Sequence, residues 1–233
     1  MIIKYNSLVL KYDDKWLNPV IRPDYNPLNL PPNTVRVRTS DGNPPIYKGS
    51  INYYERATLV PGTTDVYDVY RSGTSLHAMF RTSDNVIEVL GANIAGVTDV
   101  NRMFQGCDYL TSVALFDTSS VTDMSYMFYK CSSLTNLPLF DTSNVTTMWY
   151  MCTECSNLTS VPLLNTSNVT NIQAAFGDCY KVQSGALALY QQASSQANPP
   201  IYHIDAFYDC GRDTVTGAAE LSQIPTGWGG TGA

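Results

Sequence analysis

The chain has 233 residues, of which 44% are apolar and 15% charged, and its net charge is −6. This balance is typical of a globular protein with a sparsely charged surface and argues against a disordered chain. No cluster of Lys or Arg could neutralise a phosphate backbone, so we expect no nucleic-acid partner. We also expect no signal peptide and no membrane insertion, because the first residues lack a small-residue cleavage site and no apolar run approaches ~18 residues.

Residues 1–33 are predicted to be an attachment segment. Alternating apolar residues predict a hairpin with strands at Ile2–Tyr5 and Leu8–Tyr12. A proline-rich stretch comes next and predicts an extended, semi-rigid spacer. Its prolines are Pro23, Pro27, Pro31 and Pro32. The hairpin would then dock onto another protein.

Residues 34–93 are predicted to form a small β-domain. Alternating apolar residues favour strands, and Asp41-Gly42 and Pro61-Gly62 supply turns between them. The predicted strands are Thr34–Arg38, Ser50–Tyr54, Val66–Tyr70 and Val86–Leu90. We expect this domain to cap the repetitive region that comes after it in the chain.

A 24-residue repeat without insertions runs through residues 97–192. Its register is clearest in four cysteines that recur once in each copy: Cys107, Cys131, Cys155 and Cys179. Within one copy, residues 121–128 have the spacing of a short helical turn, whereas Leu137-Pro138-Leu139 alternates like a strand. Such units would bury their apolar faces only against each other, so the pattern predicts a leucine-rich-repeat-like solenoid with parallel strands over residues 94–183.

Residues 184–233 are predicted to close the other end of the repeats. Residues 185–193 are rich in helix formers and end before Pro199-Pro200. Residues 204–210 reproduce the Phe-x-x-Cys core of the repeat as a degenerate fifth copy. Residues 227–233, rich in glycine, are expected to be a loose tail.

The repeat phrase Leu-Phe-Asp-Thr-Ser-Asn-Val-Thr-x-Met-x-x-Met-Phe-x-x-Cys-Ser-Ser-Leu-Thr, best preserved over residues 139–158, resembles the BspA-like leucine-rich-repeat surface proteins. The third repeat departs from it at Cys152 and Asn165. The resemblance covers about residues 94–210 and implies bacterial surface adhesins that bind host extracellular proteins. The chain as a whole resembles repeat proteins carried by phages of gut bacteria, which implies a virion component.

The cysteines are interpreted as buried free thiols, because one sequence register places them in one column of the core. A single Cys152-x-x-Cys155 pair is weak evidence for zinc, so no metal or cofactor is expected. Asp117, Asp141 and Asn165 recur in one register and could bind calcium. Short polar side chains at turns more often bond to the backbone, which is the interpretation favoured here.

The sequence favours recognition over catalysis. Only His77 and His203 could act as imidazole bases, and neither lies in a recognisable catalytic motif, so we expect no enzymatic activity. Aromatic residues at variable repeat positions provide rigid contact area with a polar tip and are the candidate ligand-binding residues, although ordinary packing is the alternative. They are Tyr126, Tyr129, Trp149 and Tyr150.

We therefore expect a phage virion protein of the tail or a surface fibre, whose solenoid serves host attachment or virion structure. Residues 1–33 would contact other virion proteins, and the repeats would bind a host-surface protein or glycan, with homo-oligomers possible. The alternative is an adhesin of the BspA-like family on the bacterial cell surface. A third hypothesis is a purely structural protein without a ligand.

Overall fold

The computed structural model describes residues 2–5, 8–11, 28–46 and 54–232. Within these ranges the chain forms seven strands, two α-helices and one 3₁₀ helix. The strands are β1 (Ile2–Tyr5), β2 (Leu8–Lys11), β3 (Thr34–Thr39), β4 (Arg56–Leu59), β5 (Val66–Tyr70), β6 (Val86–Asn93) and β7 (Ser112–Val113). The helices are α1 (Ala186–Ser194), α2 (Val215–Leu221) and the 3₁₀ helix Thr226–Trp228. No helix in these ranges is long and apolar enough to cross a membrane.

Strands β1 and β2 pair antiparallel, with Ile2 opposite Lys11 and Tyr5 opposite Leu8. Their bounds lie close to those of the predicted hairpin. Of the proline-rich spacer predicted between Arg22 and Asn33, the part up to residue 27 lies outside the described residues. The strand predicted at Ser50–Tyr54 also lies almost wholly outside them.

The predicted small β-domain is confirmed. Five strands form one sheet in the order β4-β5-β3-β6-β7, antiparallel except for the parallel pair β6 and β7. In β3, Val35 and Val37 point into the core and are fully buried. The alternate residue Arg36 forms a two-point ion pair with Asp68 of β5, at 2.6 and 2.8 Å. The period of two therefore gives this sheet one apolar and one polar face.

The predicted leucine-rich-repeat-like solenoid with parallel strands is wrong. The strands of the described residues belong mainly to the mixed five-stranded sheet, and the two helices are short. Between residues 94 and 183 the sole strand is the two-residue β7, beside isolated single bridges. A physical reason lies in the proline positions. Ala114 donates its backbone N–H to Val89 at 2.8 Å, whereas the equivalent Pro138 and Pro162 have no N–H to donate.

Hydrogen-bonded turns occupy the part of each repeat that was predicted to form a short helical turn, and no strand forms at the predicted positions 137–139. We call these turns the turn segments, and they cover residues 75–83, 99–107, 123–131, 147–155, 171–179 and 202–210. Alternate N–H groups of one segment donate to carbonyls of the next: Leu76 to Asp99 at 2.8 Å and Phe80 to Met103 at 2.8 Å. The intervening N–H groups close turns within the segment, as from Met79 to Leu76 at 3.1 Å. Every second hydrogen bond therefore joins residues that are far apart in sequence.

The first turn segment was missed by sequence reasoning, which placed residues 75–83 in the β-domain. Ser75 forms a parallel bridge with Asp99, and the Phe80 ring stacks on Phe104 at 5.3 Å between centroids. The signal was present, because Met79-Phe80 precedes Met103-Phe104 by one full repeat length.

Aromatic rings and thiols fill the interior of the turn segments. The Phe104 ring lies 5.6 Å from that of Phe128, nearly parallel to it, and both are fully buried. Each thiol in the repeat register contacts the segment before it: Cys107 donates to the carbonyl of Phe80 at 3.0 Å, and Cys131 to that of Phe104 at 3.1 Å. The S–H group thus donates a hydrogen bond to a backbone carbonyl, while the cysteine side chain is small and apolar enough for its buried position.

The C-terminal part packs onto the last turn segments. Helix α1 begins after Gly185, whose φ is 98°, and a Cβ there would lie 2.0 Å from the carbonyl oxygen of Val161, so only glycine fits. The expectation of a loose tail is wrong. Trp228 is 8% exposed, its carbonyl accepts from the N–H of Phe207 at 2.9 Å, and its ring stacks on His203 at 4.3 Å. Residues 226–229 therefore cover part of the last turn segment.

Candidate functional site

The four predicted ligand-binding residues lie together on one surface. Tyr126 contacts the other three rings, with centroids 5.6 Å from Tyr129, 5.1 Å from Trp149 and 5.2 Å from Tyr150. Trp149 and Tyr150 are 5.5 Å apart, and Tyr129 is 6.2 Å from Tyr150. We call these four residues the aromatic patch. Trp149 is 38% exposed and the three tyrosines are half-buried.

The backbone conformation of the turn segments sets the direction in which the side chains of the patch point. Tyr126 and Tyr150 occupy equivalent positions, both in the left-handed region with φ of 57° and 55°. The same conformation recurs at Arg102 and Ala174, with φ of 57° and 50°. A backbone conformation shared by successive copies of the repeat points their side chains the same way, and the Tyr126 and Tyr150 rings lie within 8° of parallel.

Charged groups border the aromatic patch, Arg102 from the preceding turn segment and Lys130 and Glu154 from the segments of the patch itself. The Arg102 guanidinium lies 4.7 Å from the centre of the Tyr126 ring, and the Lys130 ammonium lies 5.2 Å from that of Tyr129. Glu154 accepts a hydrogen bond from the Tyr129 hydroxyl at 2.9 Å and pairs with Lys130 at 3.5 Å. Cations over ring faces add a modest attraction at exposed sites, so these contacts help to hold the rings in place.

The hydroxyls of Tyr126 and Tyr129 are protonated at neutral pH. Burial raises the pKa of Tyr126 and Tyr129 above the ordinary value, and for Tyr129 the hydrogen bond to Glu154 raises the pKa further. The pKa of Lys130 is raised as well, first by its interaction with Tyr129 and then by the charge of Glu154. Tyr126 and Tyr129 therefore present ring faces and neutral hydroxyls, which suit binding contacts.

Sequence reasoning missed a second group of exposed apolar residues, in the last turn segment. Tyr202, Ile204 and Tyr208 are 58%, 61% and 51% exposed. Ile204 and Tyr208 stand at positions equivalent to Trp149 and Thr153, as the backbone hydrogen bonds from Ala174 to Ile204 and from Asp178 to Tyr208 establish. The signal was the degenerate copy at residues 204–210, whose non-core positions are equivalent to those of the earlier turn segments.

The cysteines lie in the core and away from the patch. All six are buried and free of disulfides. Burial raises the pKa of the Cys107 and Cys131 thiols, so neither is a thiolate near neutral pH. No group of three or more His, Cys, Asp or Glu side chains in the described ranges is arranged to hold a metal ion.

The recurring carboxylates bond to the backbone, as the sequence interpretation favoured. Asp117 accepts from the N–H of Ser119 and Asp141 from that of Ser143, both at 2.9 Å. Asn165 does the same with Ser167 at 2.9 Å. These side chains therefore stabilise the turns in which they stand.

His77 lies in the first turn segment and His203 in the last, and the two make different contacts. The His77 carbonyl accepts from Arg71, and the His77 N–H donates to the hydroxyl of Ser75 at 3.2 Å. His203 packs on Trp228, and its Nδ1 lies 3.2 Å from the carbonyl oxygen of Gly227. Neither contact sets up a nucleophile and base pair.

Comparison with known proteins found one family model that matches part of the chain. No curated protein and no solved structure matches it. The matched family model has the description "Mycoplasma protein of unknown function, DUF285" and spans residues 74–188. This range begins at the first turn segment and includes the aromatic patch. The match supports, for residues 74–188, the resemblance to a BspA-like repeat family.

Proposed function

We propose that the protein is a non-enzymatic recognition protein that binds a host-surface protein or glycan through the aromatic patch. The observation that carries this proposal is the clustering of Tyr126, Tyr129, Trp149 and Tyr150 on one surface, with Trp149 exposed. Clustered Tyr and Trp side chains provide much contact area at a small entropic cost, and such residues dominate binding energies at interfaces.

The contacts around the patch support preorganisation. The rings touch each other, and Arg102, Lys130 and Glu154 bond or pack against them before any ligand arrives. Side chains that are already ordered lose less freedom on binding, so more of the contact energy appears as affinity.

Binding of the labelled full-length chain to a panel of gut bacterial strains and epithelial cells tests this function. We expect saturable binding to at least one cell type and a loss of at least tenfold in affinity for Trp149→Ala and Tyr150→Ala. Val215→Ala is the matched control, because Val215 is 90% exposed and lies outside the patch. Absence of binding to every cell type, or equal binding by all variants, would favour the purely structural hypothesis.

The carrier of this recognition protein is proposed to be a phage virion, with residues 1–33 attached to other virion proteins. A bacterial cell surface is the second candidate, and the match of residues 74–188 to the surface-repeat family favours it. Antibody detection separates the two: signal in purified phage particles supports the virion, and signal on intact bacteria free of phage supports the adhesin.

A further inference from the structure

Two rows of side chains run along the surface that carries the aromatic patch. The fourth and the eighth residue of every turn segment have a left-handed backbone, with φ from 50° to 70°. The fourth residues are Ala78, Arg102, Tyr126, Tyr150, Ala174 and Asp205. The eighth residues are Thr82, Gly106, Lys130, Glu154, Asp178 and Asp209. Tyr129 joins the two rows, since its ring lies 5.6 Å from that of Tyr126 and 5.2 Å from the Lys130 ammonium.

The charges of these rows change sign from the earlier turn segments to the later ones. In the second and third segments the charged residues are the cations Arg102 and Lys130. In the fourth to sixth segments they are carboxylates: Glu154, Asp178, Asp205 and Asp209. Asp99 and Asp123 stand at another position and accept hydrogen bonds from the backbone of their own turns, at 2.9 and 2.7 Å. The aromatic patch lies where the sign changes, so the surface has two ends of opposite charge.

The outermost charges of the first row have no ionic partner within the described parts of the chain. The Arg102 guanidinium donates to the amide oxygen of Asn101 at 3.0 Å but pairs with no carboxylate, and its unpaired nitrogen atoms are open to solvent. Asp205 is exposed, and its carboxylate pairs with no described cation. Asp178, in the second row, accepts from the Tyr180 hydroxyl at 2.9 Å and likewise pairs with no described cation. Charges of both signs are therefore available to a partner.

A surface with opposite charges at its two ends is complementary to a second copy of itself turned end for end. We consider a two-fold axis through the fourth turn segment. The second segment of one copy then faces the sixth of the other, and the third faces the fifth. Arg102 comes opposite Asp205 and Lys130 opposite Asp178, and symmetry forms each pair twice. The pairs lie at both ends of the contact.

The neighbouring registers keep fewer of these pairs. An axis between the third and fourth segments brings Lys130 opposite Glu154 but sets Arg102 opposite Ala174. An axis between the fourth and fifth segments brings Lys130 opposite Asp209 and leaves Arg102 beyond the last turn segment. The charges therefore select the axis through the fourth segment.

The same register puts the aromatic patch at the centre of the contact. Trp149 and Tyr150 meet their own counterparts at the axis, and central aromatic residues contribute most to binding at interfaces. Glu154 also meets its counterpart there. In each copy, however, it accepts from the Tyr129 hydroxyl and pairs with Lys130, which offsets the repulsion between the two carboxylates.

We propose that two copies of the chain form a symmetric, antiparallel dimer through this surface, with Arg102 paired to Asp205 and Lys130 to Asp178 around the aromatic patch. This inference goes beyond the proposed function, because a second copy and a host ligand compete for the same patch. The contact spans five turn segments, about 20 Å in length. Two rows of side chains over this length make a small interface, so we expect a reversible dimer with a dissociation constant in the micromolar range.

Sedimentation equilibrium of the full-length chain at micromolar concentrations tests this dimer. We expect the wild type to show a monomer–dimer equilibrium that weakens at high salt. Arg102→Asp and Asp205→Arg each place like charges opposite one another at both ends, so each variant alone should dimerise at least tenfold more weakly. In an equimolar mixture of the two variants, a mixed dimer has opposite charges at both ends again. The mixture should therefore associate about as tightly as the wild type.

Both substitutions fit the local backbone, because Asp205 and Arg102 already occupy equivalent positions with φ of 59° and 57°. Circular dichroism should confirm that each variant is folded. Lys181→Asp is the matched control: Lys181 is exposed, lies outside the turn segments, and its substitution changes the net charge as much as Arg102→Asp does. This control should dimerise like the wild type.

A wild-type chain that stays monomeric at every concentration would overturn the inference, as would single variants that dimerise as well as the wild type. A mixture that associates no better than its two components would also overturn it. Host cells take no part in this measurement, so these outcomes leave the proposed recognition function standing. Loss of cell binding, in turn, leaves the dimer standing.

Discussion

The five-stranded sheet and the turn segments bury apolar residues by different means. In the sheet, β3 lies between β5 and β6, and its alternate residues Val35 and Val37 face the core. In the turn segments, the backbone turns every few residues, and the side chains that fill the core meet their counterparts from the neighbouring copy of the repeat. The sheet therefore depends on local alternation, whereas each turn segment depends on its neighbours. Both contribute to one continuous core.

Alkaline pH should have the largest effect and should act through the turn segments, because all six cysteines lie there and none lies in strands β3 to β6. Burial raises the pKa of the thiols of Cys107, Cys131, Cys152, Cys179 and Cys210. A pKa raised on folding means that stability is fully present below the unfolded thiol pKa of about 8.5 and is lost as the pH rises above it. Between pH 8 and 9.5 we expect a loss of roughly 1 kcal/mol per thiol, about 5 kcal/mol in total.

Urea unfolding with reductant present, at several pH values in this range, measures that loss. Cys107→Ala should reduce this pH-dependent loss of unfolding free energy by the amount expected for one thiol. In the native state at pH 8 the thiols should react with a thiol reagent far more slowly than in urea. Fast reaction of the folded protein would contradict the buried arrangement.

Phe104→Ala tests the stacked rings of the turn segments. Phe104 is fully buried between Phe80 and Phe128, so its truncation should lower the free energy of unfolding by about 4 kcal/mol. Val37→Ala, fully buried in β3, is the matched change in the sheet and should cost about 2 kcal/mol. Because the core is continuous, both variants should shift one cooperative transition in urea. Two separate transitions would mean that the regions unfold independently.

Trp228→Ala tests whether the C-terminal residues stabilise the last turn segment. Trp228 is 8% exposed and contacts both His203 and Tyr190, so we expect a loss of about 3 kcal/mol in thermal or urea unfolding. Val215→Ala, at a 90% exposed position, should change stability by less than about 0.5 kcal/mol. Hydrogen exchange should show the largest increase at residues 202–210. Equal stability of the two variants would restore the loose-tail interpretation.

The smallest effect is expected from the ion pairs. Arg36 and Asp68 join β3 to β5 with two hydrogen bonds and are 21% and 27% exposed, so a double-mutant cycle with Arg36→Leu and Asp68→Asn should give about 1 kcal/mol. The Lys130 and Glu154 pair in the turn segments is longer, at 3.5 Å, and more exposed, and should give less than about 0.5 kcal/mol. Both values should fall at high salt. A larger coupling for Lys130 and Glu154 would reverse this order.

The sequence determined the features that depend on local pattern and on register. The alternation of apolar and polar residues predicted three strands of the sheet, because one face of each strand packs against the core. Helix formers before Pro199 predicted a helix close to α1. The repeat placed Tyr126, Tyr129, Trp149 and Tyr150 at positions outside the core, and the structure brings them together.

Tertiary structure decided the rest. Whether a repeat forms strands depends on backbone donors reaching a neighbour, and Pro138 and Pro162 lack those donors, so no strand forms at the positions where the repeat pattern predicted one. The packing of Trp228 on His203 joins residues that are far apart in sequence, which no local pattern reveals.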